Sequence, residues 1–181
     1  MRRHLMLAAG LSTLFAAVAM VAEAVASSSG AQAWDRAAGI AFNLLLVPAV
    51  FAFWRIGGRP AIVIATAAAI CGIGSLLMWA GAFAFQAWSL EPIWISLSAV
   101  WWIGLGLVLV RSGRLIGWLT LTLGVAAVLD VSATTIVSTL TLPQAWFGLI
   151  GGWKLPLQLV WTLAAGVWLT RFALVPARSS S

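Results

Sequence analysis

Long apolar runs, broken by short polar stretches, dominate the chain. Cutting at charged and turn-forming residues leaves six runs, at about 5–27, 37–54, 61–85, 93–110, 115–138 and 146–170. Each is close to the roughly 20 residues that an α-helix needs to cross a hydrocarbon core of about 30 Å. None shows the sustained alternation of a lipid-facing barrel strand. The separators are short: Ser27 to Arg36, Arg55 to Pro60, Trp88 to Pro92, Arg111 to Arg114, and Thr139 to Gln144 around Pro143. Glycine and proline at these points supply turn chemistry, so consecutive helices should fold back as antiparallel hairpins. The pattern predicts a single all-α domain over 1–181, a polytopic bundle of six transmembrane helices with no soluble domain.

Composition agrees with this class. The chain is 63% hydrophobic and 8% charged, whereas soluble domains run nearer half and a quarter. Too little polar surface remains to coat a water-soluble particle. The formal charge of +6, from ten Lys and Arg against four acids, at first suggests a nucleic-acid binder. The basic residues are instead dispersed in pairs at the ends of apolar runs, and the loops between them are too short for a clustered basic face. No nucleic-acid partner is expected.

Those pairs also predict a direction. With the N-terminus in the cytoplasm, Arg2, Arg3, Arg55, Arg59, Arg111, Arg114, Arg171 and Arg178 all fall inside, and only Arg36 and Lys154 fall toward the outside. The positive-inside rule therefore predicts N-in and C-in, in the inner (cytoplasmic) membrane, with the lipid bilayer as the main partner. Glu23, Asp35, Glu91 and Asp130 then lie in or near the outer half. The first run has a rival interpretation, because Met1-Arg2-Arg3-His4, an apolar stretch and Ala24-Val25-Ala26 follow the plan of a secretory signal cut after Ala26. The stretch is longer than a usual signal core and Glu23 is out of place before a cleavage site, so retention is expected. Cleavage would leave five helices in the same orientation.

There are 12 Trp and no Tyr. Trp34, Trp88, Trp94 and Trp146 map to the outer interface and Trp54, Trp118 and Trp168 to the inner one, as an aromatic belt requires. Trp79, Trp101, Trp102, Trp153 and Trp161 map deeper, where packing competes with a second role. In that role Trp101, Trp153 and Trp161 line a site for a hydrophobic ligand. Small residues such as Gly72, Gly104, Gly117 and Gly124 permit close helix approach. Cys71 has no partner for a disulfide. His4 is the only histidine, which rules out bis-histidine haem within one chain and argues against a His-based metal site. No phosphate loop, nucleophile elbow or Ser-His-Asp set is present. We assign no catalytic residue and expect no metal and no cofactor.

Ionisable groups inside a membrane are costly and mark candidate sites. Asp130 lies about eight residues from the outer end of the fifth run, and Lys154 about eight residues into the sixth. Both should sit roughly 12 Å below the outer boundary at 1.5 Å per residue, on antiparallel neighbours, as an ion pair. Glu23, Asn43, Gln158 and Thr134 fall near the same level. Lys154, Gln158 and Trp161 share one helix face, as do Asp130, Thr134 and Ser138. Pro156 is expected to break the sixth helix and free the Gly152 carbonyl beside Lys154. This cluster either fixes helix register or forms a ligand site open to the outer leaflet.

The stretch Arg111-Ser112-Gly113-Arg114-Leu115-Ile116-Gly117-Trp118-Leu119, followed by Leu123-Gly124-Val125, Leu129-Asp130, Pro156 and Trp161 to Arg171, resembles a widespread bacterial group of small multi-helix membrane proteins of unknown function. The resemblance covers about residues 90–172 and implies a membrane fold without implying an activity. From the residues themselves, the expected function is non-enzymatic: a small membrane subunit or accessory protein that packs against lipid, a membrane complex or copies of itself. The alternative is a membrane-embedded binder, carrier or enzyme for a hydrophobic or lipid-like substrate. There Lys154 would hold an anionic head, Asp130 would orient Lys154, and the three deep tryptophans would flank the tail. Direction is testable in a Cys71→Ala background. Ser28→Cys should react with an impermeant maleimide on intact cells, and Ser112→Cys should react only after permeabilisation.

Overall fold

A computed structural model describes residues 2–56, 61–111, 113–140 and 153–174. Six α-helices account for nearly all of them: α1 (Arg2–Ser29), α2 (Gln32–Ile56), α3 (Ile62–Phe85), α4 (Glu91–Arg111), α5 (Leu115–Thr139) and α6 (Lys154–Leu174). A 3₁₀ turn, Trp88–Leu90, precedes α4, and no strand occurs among the described residues. All six helices are long and apolar enough to cross a membrane. Inside a bilayer this all-helical solution satisfies most backbone groups within their own segments.

Several helices run past the ends of their apolar runs. α2 begins at Gln32 and takes in Asp35 and Arg36. Hydropathy marks the stretch immersed in hydrocarbon, whereas the backbone hydrogen bonds continue into the headgroup region until a turn residue stops them. The exception is the sixth helix. It starts at Lys154, and the expected stretch 146–152, with the Gly152 carbonyl, lies outside the described residues. Pro156 consequently falls in the first turn of α6 rather than breaking its interior. Its missing N–H removes no internal bond there.

Three turns share one chemistry. At the end of α1 the Ala31 N–H donates to the Ala26 carbonyl (2.9 Å), at the end of α3 Ala87 to Ala82 (3.2 Å), and at the end of α4 Arg114 to Leu109 (3.1 Å). Such bonds across five residues need a left-handed residue just past the helix. Gly30 (φ 72°) and Gly113 (φ 67°) supply it without strain, while Gln86 (φ 55°) does so against the steric preference of its Cβ.

The helices form a closed ring in chain order. Each packs on its neighbour in sequence, and α1 returns to pack on α6. The ring is filled by side chains. Trp102 stands edge-on to Trp161 at 4.4 Å between ring centres, and Phe53 lies 5.8 Å from Trp161 and parallel to Trp168 at 5.9 Å. Leu46, Leu109, Leu123 and Leu169 complete a core without exposure. Close packing rests on small residues. A Cβ on Gly106 would meet Leu121 at 2.6 Å, and one on Gly124 would meet Ile103 at 2.7 Å, so α4 and α5 approach almost backbone to backbone.

The two ends of the ring differ in charge. Arg3, Arg55, Arg111, Arg114 and Arg171 gather at one end, and Glu23, Asp35, Glu91 and Asp130 toward the other. They are called the arginine end and the acidic end below. From the turn geometry, Gly113→Ala should lower stability in detergent by about 1 kcal/mol, and Gln86→Gly should leave it unchanged or raise it by a few tenths to about 1 kcal/mol. Thermal melts of the two variants side by side check the opposite signs.

Candidate functional site

At the acidic end α6 opens on a lysine. Burial in low dielectric and the positive end of the α6 peptide dipoles both disfavour a cation at this position. Two partners offset that cost. Lys154 Nζ donates to Asp130 Oδ2 on α5 at 3.1 Å, and the same ammonium lies 4.9 Å from the centre of the Trp79 ring on α3. Lys154 is 5% exposed and Asp130 8%. Glu91, in the first turn of α4, lies within electrostatic range of both. Trp79 is itself held, edge-on to Phe42 of α2 at 6.3 Å and parallel to Trp94 of α4 at 6.4 Å.

Along the α5–α6 seam two more contacts follow. Trp161 Nε1 donates to Thr120 Oγ1 at 2.9 Å, and that hydroxyl donates to the Ile116 carbonyl at 2.7 Å. A buried indole N–H is thereby satisfied. At the arginine end Arg114 lies over Trp168 (5.1 Å) and Phe172 (5.6 Å). Partial burial lowers the pKa of its guanidinium, which nonetheless stays charged at neutral pH.

One turn after Lys154 stands Gln158, 2% exposed. Its Oε1 is buried and receives no hydrogen bond among the described residues. Unmet buried oxygens are rare and call for an explanation. Gln158 lines a cavity of about 490 Å³ at the acidic end, between α1 and α6, with Phe42 and Trp79 behind it and Glu23, Ser27 and Ser28 on the α1 side. Against this cavity lies an apolar groove of about 680 Å³, formed by residues such as Val18, Ala22, Trp34 and Leu163. Val21, Val25 and Leu159 line both spaces, which adjoin across these side chains. At the arginine end α1 and α6 pack closely instead. There a Cβ on Gly10 would collide with Thr170, and one on Gly166 would meet Leu14 at 2.8 Å.

The structure thus brings Asp130 and Lys154 together and puts Glu23 and Gln158 on one cavity wall. Asn43 is buried in the core, where its Nδ2 donates to the Gly39 carbonyl at 2.8 Å and its Oδ1 is also unpartnered among the described residues. The side chain of Thr134 lies outside the described residues. Trp101 and Trp161 are enclosed in the core, and Trp153 is 62% exposed. None of the three lines the cavity, nor do Lys154 and Asp130. The aromatic walls are Phe42 and Trp79, which the sequence reading did not single out as site residues. In the structure the α2–α3 hairpin sets their level. Trp54 Nε1 bonds Thr66 Oγ1 at 3.1 Å, and stepping back from that antiparallel pair along both helices brings Phe42 level with Trp79.

Among the described residues no three His, Cys, Asp or Glu side chains gather to hold a metal ion. No protein-family model matches the chain, and neither does any curated protein or solved structure.

The ion pair has a measurable signature. Asp130→Asn and Lys154→Met should each destabilise, on the order of 3–5 kcal/mol if the survivor stays buried, and the double variant should recover part of the loss. Lys154→Met should cost more, since it also removes the contact with Trp79, whereas a lone Lys154 at a helix end can reach toward the interface. A thermal double-mutant cycle in detergent reads the coupling. Additive losses would show that the pair contributes nothing beyond its separate members.

Proposed function

We propose that this is a multi-pass membrane protein that binds a lipid-like amphiphile in the crevice between α1 and α6. The single observation that carries this reading is Gln158, a buried amide whose oxygen is unmet among the described residues, in the wall of a cavity that adjoins an apolar groove. Membrane interiors do not leave a polar atom unpaired without cost. A ligand whose head lies against Gln158 and Glu23, and whose tail lies along Val21, Leu159 and the groove beyond, would satisfy both surfaces. The cavity is also of the size usual for small-molecule sites.

The reading is non-enzymatic. The crevice offers a carboxylate, an amide and hydroxyls without a nucleophile–base pair among its described walls. We place the acidic end on the outer face of a cell's cytoplasmic membrane, N-in and C-in, on the strength of the arginines clustered at the opposite end. An accessory-subunit role acting through helix packing alone would leave the unmet oxygen unexplained, and for that reason we rank it second.

Native mass spectrometry of protein extracted in mild detergent tests the proposal. A defined lipid-like adduct should be retained. Val21→Trp or Leu159→Trp, which fill the wall shared by cavity and groove, should reduce its occupancy severalfold while the protein remains folded. Retention of bulk phospholipid only, unaffected by either variant, would favour the packing role.

A further inference from the structure

The charge of the crevice walls specifies the head group, an inference that rests on the amphiphile-binding reading above. Among the described residues the polar side chains Glu23, Ser27, Ser28 and Gln158 line the cavity, and no lysine or arginine does. The nearest cation along α6, Lys154, is turned to Asp130 at 3.1 Å and covers the Trp79 ring. Glu23 itself has Asp35, a second acid in the first turn of α2, as its charged neighbour. The Ser28 hydroxyl already donates to the Val25 carbonyl at 2.8 Å, which leaves its lone pairs as acceptors. Gln158 adds a buried amide in the same wall, its oxygen unmet among the described residues. Acceptors therefore line the space, and among the described residues no cation lines it to receive an anionic head.

We infer that the crevice selects a single-chain amphiphile with a positively charged amine head, whose N–H groups donate to Glu23 and, once the amide turns toward the cavity, to the Gln158 oxygen, while its alkyl chain lies along Val21 and Leu159 toward the adjoining groove. This reverses the head-group sign expected from sequence, where Lys154 was to hold an anion. Burial of the ammonium–carboxylate contact in the membrane makes it strong, because charge-assisted hydrogen bonds weaken less where water is excluded.

Three probes of equal chain length separate the possibilities: dodecylamine, dodecanol and dodecanoate, titrated into the purified protein in a neutral maltoside detergent at pH 7.5. Binding is read by native mass spectrometry and thermal shift. We expect dodecylamine to bind at least tenfold more tightly than dodecanoate. Glu23→Gln should weaken dodecylamine roughly ten- to hundredfold, the range for one charge-assisted hydrogen bond, and leave dodecanol unchanged, which shows an intact crevice. Glu23→Asp, keeping the charge, should keep the preference for the amine. Equal binding of amine and carboxylate, or an amine affinity indifferent to Glu23→Gln, would overturn the inference while leaving the amphiphile site standing. Should Glu23→Gln also lose dodecanol, Glu23→Asp decides: an amine preference retained there supports the inference, and its loss overturns it. Failure of all three probes to bind the native protein would overturn the inference together with the site.

Discussion

The bond between Lys154 and Asp130 is the contact around which this bundle is arranged. Six helices closing into a ring in chain order need each interface to hold, and that between α5 and α6 is the sparsest among the described residues. Side chains make up what backbone proximity does not. The ion pair secures the acidic end, the Trp161–Thr120 bond the middle, and Arg114 over Trp168 and Phe172 the arginine end. Of the three, only the ion pair places two ionisable groups in low dielectric, where each is tolerable only because of the other. Its geometry also fixes Trp79, and through Trp79 the positions of Phe42 and Trp94.

That pairing has a second effect, on the crevice beyond Trp79. With Lys154 committed to Asp130, the cavity walls keep a carboxylate and an amide and lose the one cation at that level of α6. Structure and site meet at Trp79, which lies under the Lys154 ammonium and also walls the cavity.

Six helices and their approximate extents were legible because burial in hydrocarbon writes itself directly into composition. The meeting of Asp130 and Lys154 was legible for a related reason: two residues at equal distance from one hairpin lie at equal depth. The start of α6 was not. Apolar character continues upstream of Lys154, and hydropathy alone carries no mark of where a helix begins. Nor did spacing separate tryptophans that fill a core, such as Trp101 and Trp161, from one that walls a cavity, such as Trp79. The crevice itself depends on α1 meeting α6. These are the first and last helices of the chain, and no local pattern announces that the ring closes between them.

Why the opening lies at the acidic end follows from the distribution of side-chain size along those two helices. Near the arginine end α1 presents Ala9 and Gly10 to a surface of α6 containing Gly166 and Thr170, and the backbones approach until a single added carbon would collide. Two turns and more toward the acidic end the facing residues become Val21, Val25, Leu155 and Leu159. Branched side chains at those positions hold the helices apart without filling the gap between them, because Val21 and Val25 are about half exposed or more, as is Leu155. Pro156 adds to this by removing one backbone donor in the first turn of α6. The result is a wedge pinned at one end by glycine and open at the other. A ligand of lipid character could enter sideways from the bilayer, with its tail already in hydrocarbon, and would cross no aqueous barrier on the way. Only its head group would exchange surroundings, from the interface to Glu23 and Gln158. Selectivity in such a site must reside in the head group, because the apolar groove and the surrounding lipid offer the tail nearly the same free energy.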